Sequence, residues 1–281
     1  MKSIKYLAIS ISILLSHLFA DCNEGETEVS GTCYYTSDLD VLVAFSENSG
    51  LASEYGDVIG MCGGGAQVWV AGRLTYLGCY GGELSGAIPS DIGNLTELTT
   101  LQIFYSSFTG NLPSSIGSLT KLQEVNIWDS QITGTIPSEI GNLTNLTTFD
   151  LRGNNLTGLV PNSFCNLADI SLNLSGNNLC EPYPTACDID ADIGTQAGNC
   201  VSCSSGMLSV DGVTCYSQTD LDVLIEFATN SSLSTEYIDI INMGQQSWSG
   251  SKLTTWNCNS CSLTDSIPSS IGSLTDLTFL D

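Results

Sequence analysis

LTNLTTFDLRGNNLTGLVP, residues 143–161, is the stretch whose reading decides the fold. It follows the pattern L-x-x-L-x-x-L-x-L-x-x-N-x-L-x-G-x-I-P, which returns every 24 residues. Leu95, Leu119, Leu143 and Leu167 are in phase. So are Gly86, Gly110, Gly134 and Gly158, and so are Pro89, Pro113, Pro137 and Pro161. A fixed period of this length means stacked supersecondary units. Phe149-x-Leu151 predicts a short strand with both side chains pointing inward. Asn154 predicts a corner where the chain turns and bonds the backbone of neighbouring coils. The expected fold class is an α/β solenoid, a right-handed superhelix whose concave parallel β-sheet is open to ligands.

Moving outward, the chain repeats itself on a larger scale. CYYTSDLDVLVAF from Cys33 returns as CYSQTDLDVLIEF from Cys215, an offset of 182. WVAGRLTYLGCYGGELSGAIPSDIGNLTELTTL from Trp69 returns as WSGSKLTTWNCNSCSLTDSIPSSIGSLTDLTFL from Trp248, an offset of 179. Two tandem modules follow, the second truncated. The expected layout is a signal segment 1–20, an amino-terminal cap 21–70, repeats and a closing cap 71–187 and a linker 188–199. A second cap 200–249 and an incomplete second array 250–281 complete it. Repeats fall near 71–94, 95–118, 119–142 and 143–166, with a shortened fifth from Leu167. Ser37 or Asp38 is placed to cap the first cap helix, and Thr219 or Asp220 the second. The second array stops inside a strand at Asp281, which reads as a fragment or an incomplete gene product.

The GxIPxxIGxLTxL runs, together with a helix, a tryptophan and GRLTYL before them, resemble the plant-type leucine-rich repeat family. That family includes polygalacturonase-inhibiting proteins and receptor-kinase ectodomains. The resemblance covers 69–187 and part of 215–281. It implies capped arrays that recognise a partner on the concave sheet, and it does not name the partner. NNLCEPYPTAC, residues 177–187, resembles the disulfide-closed carboxyl cap of the family. Ser106 and Ser130 depart from the pattern where Asn154 and Asn177 keep it, so the corner ladder is expected to be weaker there. Asp265 replaces the glycine before Ile-Pro.

Lys2 and Lys5, followed by the apolar run Leu7–Leu15 and Ala20, read as a cleaved secretory signal too short to span a bilayer. Beyond it four cations remain, Arg73, Lys121, Arg152 and Lys252, against 30 carboxylates, a formal charge of 4 − 30 = −26. Such a field excludes nucleic acid and anionic lipid as partners. No membrane insertion of the mature chain is expected. The 12 cysteines all follow the signal and suggest disulfides in an extracellular protein. Cys22–Cys33 and Cys203–Cys215 occupy corresponding loops. Cys62–Cys79 would tie the amino cap to the first strand. Cys180–Cys187 would close the carboxyl cap, which leaves Cys165–Cys200. Cys258 and Cys261 either pair or are both buried thiols. N-x-Ser/Thr sequons stand at Asn94, Asn142, Asn145, Asn155, Asn173 and Asn230.

The only histidine, His17, lies in the signal, so histidine-based catalysis and histidine metal sites are excluded from the mature chain. No enzyme activity, cofactor or metal site is expected. Asp188, Asp190 and Asp192 have the alternation of a calcium loop, but Ile193 fills its glycine slot, and an acidic linker is the preferred reading. The C-x-x-C spacings Cys200/Cys203 and Cys258/Cys261 lack a histidine partner for zinc.

Aligning the coils places Tyr80, Phe104, Trp128 and Arg152 in one outward column of the concave sheet. Gln102, Asn126 and Asp150 stand in the neighbouring column. Tyr105 and Asp129 sit one place beyond the aromatics. This apolar strip with hydrogen-bonding groups beside it suits an extracellular protein, peptide or glycan. Cross-strand support among aromatics is the structural alternative. Arg152 either holds a ligand carboxylate or pairs with Asp150 or Asp129. A secreted recognition protein is the first reading. A matrix protein of tandem modules and a truncated receptor ectodomain are the alternatives.

Overall fold

The computed structural model describes residues 22–281 except 52–53, 63–65, 82–83, 168–169, 182, 185–186, 188–192, 197–202, 204–206, 211–213, 234 and 264–265. The segment expected to be a signal, Cys200, Asp265 and the Asp188–Asp192 run lie outside the described residues.

Five parallel strands, Arg73–Tyr80, Thr100–Phe104, Glu124–Trp128, Thr148–Asp150 and Ser171–Asn173, form one sheet in chain order. The antiparallel strand Ala66–Val70 closes its first edge. Leu77, Leu101, Val125, Phe149 and Leu172 stand side by side. Leu101, Ile103, Val125, Ile127, Phe149 and Leu151 are at most 1% exposed, so the inward register is the one the pattern demands. Opposite the sheet each repeat makes a short 3-10 helix, at Ile92–Asn94, Ser114–Ser118, Ser138–Asn142 and Asn162–Asn166. A third side carries short parallel pairs, Ser85–Ala87 with Ser107–Thr109, and Thr133–Gly134, Asn155–Leu159 and Asn178–Cys180.

The in-phase glycines have a geometric cause. Gly86, Gly110, Gly134 and Gly158 take φ of 74°, 73°, 75° and 78°, the left-handed region that other residues avoid. A second row keeps the coils close. A Cβ on Gly117 would lie 2.5 Å from the carbonyl oxygen of Glu139, and one on Gly141 would lie 2.7 Å from that of Ser163.

At the corner, Asn154 Nδ2 donates to the carbonyls of Ile127 (2.7 Å) and Leu151 (3.0 Å), and its Oδ1 accepts from the Ile132 N–H (3.1 Å). Asn177 repeats this one coil on, with Leu151, Leu174 and Leu156. Both are buried. Ser106 and Ser130 do not reach so far, and their hydroxyls bond each other at 3.0 Å. The ladder also continues where a linker was expected. Gln196 donates to the carbonyls of Leu174 (3.0 Å) and Ile193 (2.8 Å) and accepts from the Leu179 N–H (3.0 Å). Ile193 is fully buried. Residues 193–196 thus take the place of Leu151–Asn154 and Leu174–Asn177 as part of a sixth coil. The shorter spacing and the glutamine hid it in the sequence.

The first module opens with the hairpin Glu26–Val29/Thr32–Tyr35 and the helix Thr36–Asn48, which lays Leu39, Leu42 and Phe45 over coil one. Neither Ser37 nor Asp38 caps this helix, whose cap position is Tyr35. Asp38 is instead fully buried. It accepts from the Leu74 N–H (2.8 Å) and pairs with Arg73 (3.0 Å). The second module repeats the arrangement with Asp220, the Leu253 N–H (2.9 Å) and Lys252 (2.8 Å). There Ser217, rather than Thr219 or Asp220, caps the helix Gln218–Asn230. The duplication extends to a β-bulge at Val68/Trp69 and at Ser247/Trp248, with edge-on rings Tyr34–Trp69 and Tyr216–Trp248.

Cys22–Cys33, Cys62–Cys79 and Cys203–Cys215 pair as the loops suggested. The Cys180–Cys187 and Cys165–Cys200 pairings are corrected. Cys187 bonds Cys165, and Cys180 is disulfide-bonded elsewhere. Cys165 lies in the 3-10 helix Asn162–Asn166, so its bridge ties the closing loop to the back of the array. A bond within the loop itself would not do so. Cys258 pairs with Cys261, because Gly244 stands where the first module has Cys62.

The two modules keep separate cores, the second built on Leu221, Leu224, Phe227 and Trp256. They meet where Glu236 accepts the N–H groups of Asn162 (3.0 Å) and Ser163 (2.8 Å) and Asp239 accepts from Ser138 Oγ (2.6 Å). Burial pushes the Glu236 carboxyl above its ordinary range despite those donors. A polar cleft of about 740 Å³ opens beside them.

Two outcomes are expected. Asn154→Ala strips two carbonyls and one N–H of their buried partner and costs about 2 kcal/mol or more, whereas Ser106→Ala costs under about 1 kcal/mol. Urea midpoints of the two variants check this order. Amide hydrogen exchange will be faster after residue 240 than in 95–187. Ile267, Phe279 and Leu280 are 66%, 49% and 43% exposed, and the contact with the first module lies before them.

Candidate functional site

The repeat register brings the expected side chains together. Tyr80, Phe104 and Trp128 are direct neighbours on three adjacent strands. Tyr80 stacks on Phe104 at 4.3 Å and 16°, and Phe104 stacks on Trp128 at 4.6 Å and 11°. The Arg152 guanidinium lies 4.7 Å from the Trp128 ring and continues the stack. The rings therefore stand on edge. Their faces cover one another, and their edges are turned to the concave surface. All four side chains are half-buried.

Arg152 takes the pairing role. Its NH1 lies 3.1 Å from Asp150 Oδ2, and its backbone N–H donates to Asp150 Oδ1 at 3.1 Å. Burial raises the Asp150 pKa, outweighing that N–H and the guanidinium, and Asp129 adds to the rise. Tyr105 is 64% exposed and meets Trp128 edge-on at 4.7 Å and 79°. Asp129 is exposed beside it in the next coil. Asn126 lies between Gln102 and Asp150 on the sheet, half-buried.

Gln102 belongs to a cluster that the sequence reading left incomplete. Its Oε1 accepts from the hydroxyls of Tyr76 (2.8 Å) and Tyr80 (2.9 Å), which lie 2.6 Å apart, and its Nε2 reaches Glu124 at 3.4 Å. Burial, then the bond to Tyr80, pushes the Tyr76 hydroxyl up to about 12. Tyr76 and Glu124 occupy the outward position before each first apolar residue. Aligning that column too would have found them.

Among the sequons, Asn94, Asn142, Asn145 and Asn155 are exposed, and Asn173 and Asn230 are half-buried. The Asn145 amide donates to the Thr120 carbonyl at 2.7 Å. Asn173 lies on the concave sheet beside Asp150, its Oδ1 accepting from Ser175 N and Oγ. Among the described residues there is no cluster of three metal-type side chains, and no helix is long and apolar enough to cross a membrane.

Residues 120–179 match the family model described as leucine rich repeat. This stretch of the array is a leucine-rich repeat. No curated protein matches the chain. Among solved structures, it is similar to the plant peptide hormone receptor RGFR1 in complex with RGF2, at 37% identity over 40% of this chain and 18% of that one, with a TM-score of 0.36. It is similar to the leucine-rich repeat ectodomain of the membrane receptor kinase GASSHO1/SCHENGEN3 from Arabidopsis thaliana, at 28% identity over 44% and 18%, with a TM-score of 0.38. It is also similar to the ectodomain of the receptor kinase SOBIR1 from Arabidopsis thaliana, at 24% identity over 59% and 94%, with a TM-score of 0.46. The chain spans less than a fifth of the length of the first two.

The stack makes Trp128 more than a surface group. Trp128→Ala removes one ring stack, one edge contact and one cation–π contact. It is expected to destabilise the leucine-rich repeats by about 1–3 kcal/mol in chemical denaturation. A loss below about 0.5 kcal/mol would show that the column carries no structural load.

Proposed function

We propose that this is an extracellular recognition protein that binds a protein or peptide segment across the concave sheet of its first leucine-rich repeat array. One observation carries the reading. An apolar ladder of ring edges from Tyr80 to Trp128 runs beside the amides and carboxylate of Gln102, Asn126 and Asp150. An extended segment laid along it gains apolar contact from the edges and hydrogen bonds from the neighbouring column. A sugar ring is the weaker fit, because it stacks on aromatic faces and those of Phe104 and Trp128 are already covered. The disulfides and the leader support an extracellular setting. The role is read as binding rather than catalysis, because the sheet is open to water and its aromatic ladder offers contact rather than an enclosed pocket. A matrix role for tandem modules is favoured by the second cap and its separate core, and it is compatible with the same binding face.

A photo-crosslinking side chain at position 126 on the sheet should trap a protein from the native extracellular fluid. The same group at position 115, on the 3-10 side, should not. Equal capture at both positions would end the concave-face reading.

A further inference from the structure

The outward position after the aromatic column is left-handed in all five coils. Gly81, Tyr105, Asp129, Gly153 and Gly176 have φ of 84°, 53°, 50°, 66° and 69°. Three coils use glycine there, which takes this conformation at no steric cost. Two adjacent coils use a tyrosine and an aspartate. Aspartate tolerates the left-handed region, but a bulky tyrosine is an outlier there, and such strain tends to be kept at functional sites. With Gly81 before them and Gly153 after, these are the only two side chains in the row over these five coils.

Both side chains are exposed, and neither has a polar partner among the described residues. The faces of Trp128 are covered by Phe104 and Arg152, so its edge meets the Tyr105 ring and leaves the outer face of Tyr105 to solvent. Asp129 lies over the backbone of Gly153, where a Cβ would come within 2.3 Å of its Oδ1. No ion-pair partner of Asp129 occurs among the described residues. All four cations beyond the leader are already paired, Arg73 with Asp38, Lys121 with Glu97, Arg152 with Asp150 and Lys252 with Asp220. The protein thus offers a ligand many unneutralised carboxylates and no unpaired side-chain cation among the described residues.

We infer that Tyr105 and Asp129 form an anchor subsite, at the rim of the concave sheet, for a lysine or arginine side chain of the partner. The cation lies against the outer face of Tyr105, while its N–H groups donate to the Asp129 carboxylate. The charge balance of the whole chain steers a basic segment toward the face and repels an acidic one. This assigns Arg152 no ligand carboxylate, since it is spent on Asp150 and Trp128. The inference rests on the concave-face reading and gives its ligand a charge.

The test uses the full chain and an oligolysine peptide, with oligoglutamate as the opposite probe. Oligolysine should bind, weakening as salt rises, and oligoglutamate should not. Asp129→Asn and Tyr105→Gly should each weaken oligolysine binding about five- to tenfold. Glu47→Gln, an exposed carboxylate of the cap helix, should leave it unchanged. The urea midpoint of Tyr105→Gly should fall by less than that of Trp128→Ala, because glycine suits the left-handed position and offsets the lost edge contact with Trp128, so a variant that still folds but no longer binds has lost binding and not folding. The subsite is overturned if oligolysine fails to bind, if Glu47→Gln weakens it as much as Asp129→Asn, or if oligoglutamate binds as well. Should the subsite fail while crosslinks at position 126 still form, the recognition face stands without it. Should those crosslinks also vanish, the face itself is misassigned.

Discussion

Each coil buries its inward pair of apolar side chains only against the coils above and below it. From this dependence follows the rest of the architecture. The period must stay fixed, because a coil out of phase would present its polar residues to its neighbour's core. The ends must be covered, and the helix with Leu39, Leu42 and Phe45 does this at one end. At the other end, Ile193 and Gln196 add a last partial layer. Cysteine bridges then fasten the covers, since a cap contributes fewer apolar contacts than a coil flanked on both sides.

The polar counterpart of that stacking is the corner ladder. A solenoid corner buries carbonyls that no strand partner reaches. A side-chain amide serves two carbonyls and one N–H at once, as Asn154, Asn177 and Gln196 each do. Serine has one donor and a shorter arm, so coils two and three lean on each other through Ser106 and Ser130. These same coils carry Phe104 and Trp128 on the concave side, and the ring stacks supply coil-to-coil contact where the ladder is thin. On the proposed function, structure and recognition therefore share one column of residues.

That sharing changes how the face is read. A stack of exposed rings looks from the sequence like a row of flat platforms. Parallel strands at a common register instead hold the rings face to face, so each platform is spent on its neighbour. What remains for the proposed partner is a ridge of edges, the amides beside it, and the pair at positions 105 and 129 that projects beyond it.

The repeat period, the inward residues, the outward columns and the duplicated module were legible in the sequence. They depend on phase alone, and phase is written in the chain. The Cys22–Cys33 and Cys203–Cys215 bridges were legible because they close corresponding short loops, and Cys62–Cys79 because it ties the cap to the neighbouring first strand over a short stretch of chain. The Cys165–Cys187 bridge, the partial coil around Gln196 and the buried role of Asp38 were not. Each links segments whose distance is set by stacking rather than by spacing in the chain. Ring orientation and the pairing of Arg152 with Asp150 likewise belong to the tertiary structure. Alignment fixes which side chains are neighbours, whereas side-chain rotamers and burial decide which faces and charges are left for a partner.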